Sequence, residues 1–553
     1  MELRVELAQA IAAALTRAQA AGTLPQGAYP EPQLEQPPQK EFGDFATNIA
    51  MQSARIARQA PAQIARAIID ELDSPLIERA EIAGAGFINL FLKHDAISDG
   101  LRSILAQGDR FGDLPAHPDD YIQIEYVSAN PTGPLHVGHG RGAAYGSALV
   151  NLMRAAGYRV DAEYYINDAG NQIDLLGMSI DLRYRELLGE TVEFPDNAYR
   201  GADIIATAQA LIDEEGDRYL AMSEQERINI FKERGLQAKL AALKQDLATF
   251  NVHFDRWFSE RTLHPDAVKQ ACDELKARGT AYEKDGALWL RTTEFGDDKD
   301  RVIIRDNGIG TYFASDIAYH RNKYERGYTK MINVWGADHH GYVARVKAAM
   351  TALGYPADRL EILLLQMVNL LRGGEKVKMS KRTGNAITLN ELMDEVGTDA
   401  TRYFFIMRSL DSQLDFDIDL AKSRSNDNPV YYIQYAHARI HSIYRQVEEA
   451  GIEYGDWEHT DFTLLTSDIE LALIKKMGEY RDLIAVAARD RAPHRIAHYL
   501  YELAGEFHSF YRQCRILGSA PAERQARLGL VTAVRHVLAH GLNILGISAP
   551  ERM

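Results

Sequence analysis

Apolar and polar positions alternate in three distinct rhythms along the chain. In residues 1–20, Leu7, Ile11, Leu15 and Ala18 fall on one face and predict an amphipathic helix. The Pro/Gln-rich stretch from Pro25 to Pro38 must be loop. A second helix is expected from about Phe45 to Asp70, then a strand over Ala80–Leu92 carrying Ile82, Phe87, Ile88, Leu90 and Phe91. This makes a small α+β unit ending near Leu105, with Asp113–Asp120 as a linker. Tyr121–Val127 then alternates as a strand, a helix starts near Gly138, and Val160–Ile166 is the next strand. Strand, helix, strand is the building block of a parallel sheet. From about 171 to 300 long helical patterns intervene, with Leu236, Leu240, Leu243, Leu247 and Phe250 forming one stripe. Strand-like runs return at Val302–Ile304, Met331–Trp335 and Ile362–Val368. The pattern predicts one parallel-sheet domain interrupted by a helical insertion. After about Asp411 it is helical to the end, with Ile469, Leu473, Met477, Tyr480 and Ile484 on one face.

Composition adds bounds. With 553 residues, 46% hydrophobic and 25% charged, the chain has room for three or four folded domains and is no disordered or collagen-like polymer. Its two cysteines, Cys272 and Cys514, match no metal-ligand spacing and suit a reducing cytosol. The acidic N-terminus (Glu2, Glu6) is not expected to be a signal peptide, and no run approaches the roughly 18 consecutive apolar residues of a membrane span. The net charge of −16 argues against non-specific coating of nucleic acid. Residues 421–553, however, hold 16 basic and 16 acidic residues, so the whole negative excess lies upstream of them. A polyanion would be held by local patches.

Two segments carry chemistry. Ser128–Gly142 reads SANPTGPLHVGHGRG and places His136 and His139 where a strand hands over to a helix. Helix N-termini present backbone N–H groups and a favourable dipole to anions, imidazoles can donate to phosphate, and Gly138 admits a flat base. A dinucleotide fingerprint is the rival reading, since Gly138–Ala143 matches G-x-G-x-x-A and Asp161 follows about twenty residues on. A ten-residue loop with two prolines between strand and glycines speaks against it. The second segment, Lys376–Asn385, reads KVKMSKRTGN after Gly373 and Gly374. Three lysines and an arginine on a glycine-hinged loop make a cationic clamp for a polyphosphate. No G-x-x-x-x-G-K-[ST] occurs, so this is not a P-loop.

HVGH and KMSKR together resemble the paired signatures of class I aminoacyl-tRNA synthetases. EFGDFATN (Glu41–Asn48), GFINLFL (Gly86–Leu92), NDAGNQ (Asn167–Gln172), TYFASDIAYH (Thr311–His320), GADHHGY (Gly336–Tyr342), DATRYFF, NPVYYIQYAHAR and the closing APERM narrow the resemblance to arginyl-tRNA synthetases, over the whole chain. The resemblance implies an α/β protein: a Rossmann-like (HUP) parallel-sheet catalytic domain over 116–420 with its helical insertion at about 171–300. An N-terminal α+β domain (1–115) would precede it and an all-helical anticodon-binding domain (421–553) follow. It implies ATP as substrate, Mg2+ accompanying it, no structural metal, L-arginine and tRNA-Arg as partners, no membrane, a monomer and a cytoplasmic location. By resemblance His136, His139, Lys378 and Lys381 are catalytic, and His136, Gly138, His139, Met379, Ser380 and Lys381 bind ATP. Glu125, Tyr312, Asp316 and His340 would surround the arginine side chain, with Ser128, Asn130 and His139 near its α-amino and carboxylate groups. Carboxylates suit a planar cationic fork. Phe42 and Asn48 would meet the tRNA elbow, and Tyr435, Arg439, Tyr511 and Arg515 the anticodon, where splayed bases stack on aromatics. One departure stands out: Gly133 occupies a position that is lysine in members with a degenerate second signature, and here that signature is intact. Sister synthetases for glutamate, glutamine, lysine or cysteine, shorter nucleotidyltransferases on the same fold, and an inactive tRNA-binding paralogue are the alternatives.

Overall fold

The computed structural model describes every residue except Met1, Gln36, Pro38 and 378–386. The N-terminal unit comprises α1 (Glu2–Ala20), β1 (Phe45–Thr47), α2 (Ile49–Ala57), α3 (Pro61–Asp70), β2 (Ile77–Ala83), β3 (Phe87–Leu92) and α4 (His94–Gln107). Its sheet runs β1-β3-β2, antiparallel throughout. Two expectations change here. The helix expected over Phe45–Asp70 is a strand and two helices, broken where Arg58 turns left-handed and Pro61 begins α3. Proline has no N–H to continue a helix and suits its first turn. The strand expected over Ala80–Leu92 is a hairpin, because Gly84 and Gly86 adopt positive φ between β2 and β3.

The catalytic unit begins with β4 (His117–Glu125), α5 (Val137–Ala155) and β5 (Tyr158–Ile166). Within 171–300 come α6 (Asn171–Leu187), α7 (Ala202–Glu215) and α8 (Glu224–Thr249), then β6 (Arg256–Ser259), α9 (Asp266–Ala277), β7 (Ala281–Lys284) and β8 (Ala287–Leu290). β9 (Arg301–Ile304), α10 (Tyr312–Glu325), β10 (Lys330–Gly336), α11 (His340–Ala352) and β11 (Leu360–Leu365) follow. The main sheet is wholly parallel in the order β11-β10-β4-β5-β6. The chain leaves β4 for β5 on one side and later pairs β10 on its other side, so the carboxyl ends of β4 and β10 flank the switch point where such sheets bind ligands. Val302–Ile304, expected in that sheet, instead lies in a separate antiparallel sheet, β7-β8-β9. A short apolar run does not by itself tell which sheet a strand will join.

The run Ile362–Val368 also divides. Its first part is β11, while Val368 starts β12 (Val368–Arg372), which joins β13 (Glu375–Lys376) and β14 (Leu414–Asp417) in a third sheet. α12 (Leu389–Val396) and α13 (Thr398–Ile406) lie between β13 and β14. The helical region then holds α14 (Ile418–Lys422), α15 (Pro429–Glu449), α16 (Asp468–Gly478), α17 (Tyr480–Arg489), α18 (His494–Gln513) and α19 (Pro521–Leu545). α19 is long and apolar enough to cross a membrane, yet it is mostly buried inside the protein.

Alternate residues of β5 enter different cores: Tyr164 joins the large core shared with the N-terminal and helical units, and Tyr165 the core around α9 and α10. Two arginines fasten the units, Arg402 buried and Arg102 partly exposed. Arg402 of α13 donates to Leu545 O (2.9 Å), Phe250 O (2.8 Å) and Ser147 Oγ (2.7 Å), tying α19 and the end of α8 to α5. Arg102 of α4 donates to the carbonyls of Trp457, Glu458 and Thr460 in the helical unit.

Candidate active site

His136 caps α5. Its Nδ1 accepts the Gly138 N–H (3.1 Å), and the His139 Nδ1 accepts the His136 N–H (3.3 Å). The two rings stack at 3.7 Å, at the first turn of the helix that follows β4. This is the anion-attracting end of a long helix. Gly140 lets a neighbour approach: a Cβ there would lie 2.7 Å from Leu389 Cδ1. Leu389 opens α12, just beyond the lysine-rich segment. Its N–H donates to Leu135 O (2.8 Å), and Thr388 forms an antiparallel bridge with His136. Lys378, Met379, Ser380 and Lys381 themselves lie outside the described residues. Upstream of them Gly373 and Gly374 both take positive φ, in the turn between β12 and β13.

The chain between β4 and α5 is bent sharply. Val127 (φ 68°) and Ser128 (φ 40°) are consecutive non-glycine residues in left-handed conformation. Each costs about 1–3 kcal/mol and persists only where surroundings enforce it. Here the Ser128 hydroxyl is clamped: it donates to Glu125 Oε1 (2.9 Å) and accepts the Tyr165 N–H (3.1 Å). The bend delivers Asn130, whose Oδ1 accepts from Asn167 Nδ2 (2.8 Å), so the proline loop and the NDAGNQ loop meet.

A buried polar chain runs beside this bend. Lys323, wholly buried, donates to Glu125 Oε2 (2.5 Å) and Asn333 Oδ1 (2.8 Å). The Asn333 amide meets His320 Nε2 (2.9 Å), and His320 Nδ1 meets Asp316 O (2.8 Å). Burial, then the Lys323 charge, lowers His320 to about 3, so its imidazole is neutral and donates through Nδ1. Asp316, on α10, accepts a short hydrogen bond from the Tyr342 hydroxyl. Burial is the main cause that raises its pKa, to about 7, with the charges of Glu260 and Glu125 adding to it. Tyr312, one turn before Asp316, is largely exposed, its ring against Gly170 of the NDAGNQ loop. His340, exposed, starts α11 beyond the carboxyl end of β10. Glu125, Ser128, Tyr312 and Asp316 thus gather around the ends of β4, β5 and α10. Among the described residues, no group of three or more His, Cys, Asp or Glu side chains could hold a metal ion.

A second cleft of about 510 Å³ lies between α15 and α18. Tyr431 and Tyr435 stack parallel within it (6.0 Å, 8°). The Arg439 guanidinium sits over Tyr435 (4.5 Å) and Tyr511 (4.9 Å). Arg424, Arg512 and His508 complete the lining; reading along the sequence missed these three, because their convergence depends on helix packing. Arg515 is exposed just past α18, and Phe42 and Asn48 lie at the surface turn and the cap before α2.

Family models place residues 5–92 with the arginyl tRNA synthetase N-terminal domain, 100–408 with the class I (R) tRNA synthetase catalytic domain and 433–553 with the DALR anticodon-binding domain. The chain is 51% identical over 524 residues to an arginine–tRNA ligase of Oceanobacillus iheyensis, with 94% of each chain covered. The chain belongs to the arginyl-tRNA synthetases. An arginine–tRNA ligase of Halalkalibacterium halodurans is 48% identical across all of this chain and 98% of its own. The Thermus thermophilus arginyl-tRNA synthetase superposes over the full length of both chains with a TM-score of 0.75 at 24% identity, a likeness of fold. This arginyl-tRNA synthetase is therefore an arginine–tRNA ligase with a class I catalytic domain. Its His136 and His139 stand in the first class signature, and 378–386 spans the second.

Proposed function

We propose that the enzyme makes arginyl-adenylate and pyrophosphate from L-arginine and ATP at the carboxyl ends of β4 and β10, then transfers arginine to the 3′ end of tRNA-Arg. Neither step needs a nucleophile from the protein; positioning and charge stabilisation suffice. His136 and His139 hold the ATP phosphates and Gly138 leaves room for the base. Lys378, Met379, Ser380 and Lys381 close over the departing pyrophosphate. Mg2+ comes with ATP and neutralises its phosphate charge. Glu125, Tyr312, Asp316 and His340 receive the arginine side chain, and Ser128, Asn130 and His139 its backbone groups. Phe42 and Asn48 contact the tRNA elbow, and Tyr435, Arg439, Tyr511 and Arg515 the anticodon. The domains divide near 115 and 420, and the enzyme works as a cytoplasmic monomer.

The observation that carries this reading is the bridge between His136 and Thr388, which brings the described chain just beyond the lysine-rich segment to the histidine pair. ATP–pyrophosphate exchange with each amino acid, with and without tRNA, tests it. Exchange with arginine, dependent on tRNA as in the family, is the expected result; exchange driven by another amino acid refutes it.

A further inference from the structure

β11 ends at Leu365, and after Gln366 and Met367 the chain starts a unit of β12, β13, α12 and α13 that returns to β14. The second class signature falls within the sequence of this unit. The chain enters the unit at Gln366 and leaves it at Ser409 and Leu410. This neck is drawn together: the Gln366 N–H donates to Leu410 O (3.1 Å), and the Leu414 N–H donates to Met367 O (3.3 Å). One side chain from outside the unit holds both sides of the neck. Arg141, in the first turns of α5, donates through Nη1 to Gln366 O (2.7 Å) and through Nη2 to Ser409 O (2.9 Å).

Arg141 is wholly buried. Among the described residues its Nε has no hydrogen-bond partner, and no carboxylate lies within ion-pair distance of its guanidinium. Burial, which Tyr145 and Asp411 only partly offset, pushes its pKa down to about 10. A cation buried without a counter-ion is costly, and an apolar side chain of like volume would fill the space without that cost. An apolar residue could not hold two carbonyls at one spacing, as the planar guanidinium fork does. The neighbours of Arg141 on α5 face the same unit. A Cβ at Gly140 would lie 2.7 Å from Leu389 of α12 and 3.0 Å from Phe405 of α13, and one at Gly142 would lie 3.6 Å from Leu365. His139 stands two residues before Arg141, so one turn of helix carries both the histidine and the hold on the neck.

We infer that Arg141 is a positioning residue for adenylate formation: by clasping the carbonyls of Gln366 and Ser409, it sets the unit between β11 and β14 against the start of α5, where His136 and His139 stack. The inference rests on the proposed reading that the two class signatures act on one ATP. With no surface open to solvent, Arg141 touches no substrate. It acts through the placement of one group of phosphate ligands relative to the other. Misplacing reacting groups by about 1 Å costs on the order of a hundredfold in rate. Lysine at this position would keep the charge but reach one carbonyl, leaving the other without its donor.

The test uses the full-length enzyme with saturating tRNA in ATP–pyrophosphate exchange. Arg141→Lys should lower kcat about 10- to 100-fold and leave the KM for arginine at the parent's value. A merely structural loss would reduce the amount of active enzyme and leave the contribution of Lys381 as it was. A positioning loss changes that contribution. In the parent, Lys381→Ala should slow exchange about thirtyfold. In the Arg141→Lys background it should slow exchange about threefold or less, because both substitutions disturb one alignment. A full thirtyfold loss in both backgrounds, or an Arg141→Lys enzyme with the parent's kcat, overturns the inference. If Lys381→Ala leaves the parent's rate unchanged, the reading of the lysine segment has failed and the inference falls with it. Should Arg141→Lys fail to fold, Gln366→Pro takes its place, since it deletes the N–H bonded to Leu410 O and leaves the guanidinium intact. That variant should show the same fall in kcat and the same blunted response to Lys381→Ala, and an unaltered kcat there would refute the proposal.

Discussion

Thr388 bridges to His136. The contact joins the residue that caps α5 to the residue that caps α12, where the Thr388 hydroxyl and Glu391 form a capping box. The two signatures are some 240 residues apart in sequence, yet the chain leaving the second lands on the first. Gly140 makes the landing possible, since any side chain there would collide with Leu389 and Phe405. The described chain on the two sides of 378–386 is thus held at Thr388 by His136 and turns through Gly373 and Gly374, both at positive φ.

On the proposed reading, with Gly133 in place of a lysine in the first loop, Lys378 and Lys381 supply the cationic charge on the phosphates. Lys381→Ala should cost at least about 2 kcal/mol of transition-state stabilisation, as for loss of an electrostatic stabiliser. That is roughly a thirtyfold slower pyrophosphate exchange, with arginine binding preserved. An exchange rate equal to the parent's would sink the idea.

Lys323 and Glu125 form an ion pair closed off from water. Removing one partner strands the other, at about 3–5 kcal/mol, whereas replacing both is far milder. Lys323→Met should therefore lower the urea midpoint of the catalytic domain severely, and the double variant Lys323→Met/Glu125→Gln should recover most of the loss. Equal destabilisation in single and double variants would show that the pair is not coupled.

Much of this was legible in the sequence, for physical reasons. HVGH and KMSKR led to the family because the class signatures hold particular residue types at short spacings. The β4–α5–β5 unit read clearly because parallel strands and amphipathic helices have distinct periods. The pairing of Lys323 with Glu125, 198 residues apart, did not, since no local pattern records which buried acid a buried base will meet. The splitting of Ala80–Leu92 turned on Gly84 and Gly86, where a hairpin replaced a continuous apolar run. The assignment of β9 and β12 to separate sheets depended on tertiary partners that an apolar run does not reveal.

Asp316 makes the enzyme's response to pH predictable. Tyr342 and Lys323 favour its anion, but burial and the charges of Glu260 and Glu125 outweigh them and lift it to about 7. Folded protein then holds this proton more tightly than unfolded protein does. Its contribution to stability is most favourable in acid and declines as pH rises from about 4 to 7. Asp316→Asn should remove that slope and stabilise the free enzyme at pH 8 by on the order of 2 kcal/mol. If arginine binds Asp316 as proposed, it needs the anion, so in the parent the KM for arginine should climb as pH falls below 7 while the KM for ATP stays level. In Asp316→Asn the arginine KM should be high at every pH. Thermal melts between pH 4 and 8 and initial rates between pH 6 and 8 decide the two points, and a parent whose arginine KM ignores pH would count against this assignment.

The cleft between α15 and α18 joins stacking surface to positive charge. Arg439 bonds Tyr435 Oη (2.5 Å) and lies over Tyr511, while Tyr431 extends the stack by one more ring. Stacking on an aromatic contributes about 1–3 kcal/mol per base, and each phosphate contact adds about one unit to the salt dependence of binding. The two substitutions should therefore separate. Tyr435→Ala should weaken tRNA binding about tenfold or more at every salt concentration, because stacking is not screened. Arg439→Ala should weaken it most at low salt and flatten the plot of log affinity against log salt. In both, arginine and ATP should retain their KM at saturating tRNA, since no residue lining the cleft belongs to β4, β10 or α10. Filter binding across a salt series measures each effect. Parallel, unshifted lines for both variants would mean that the anticodon is read on another face of the helical domain.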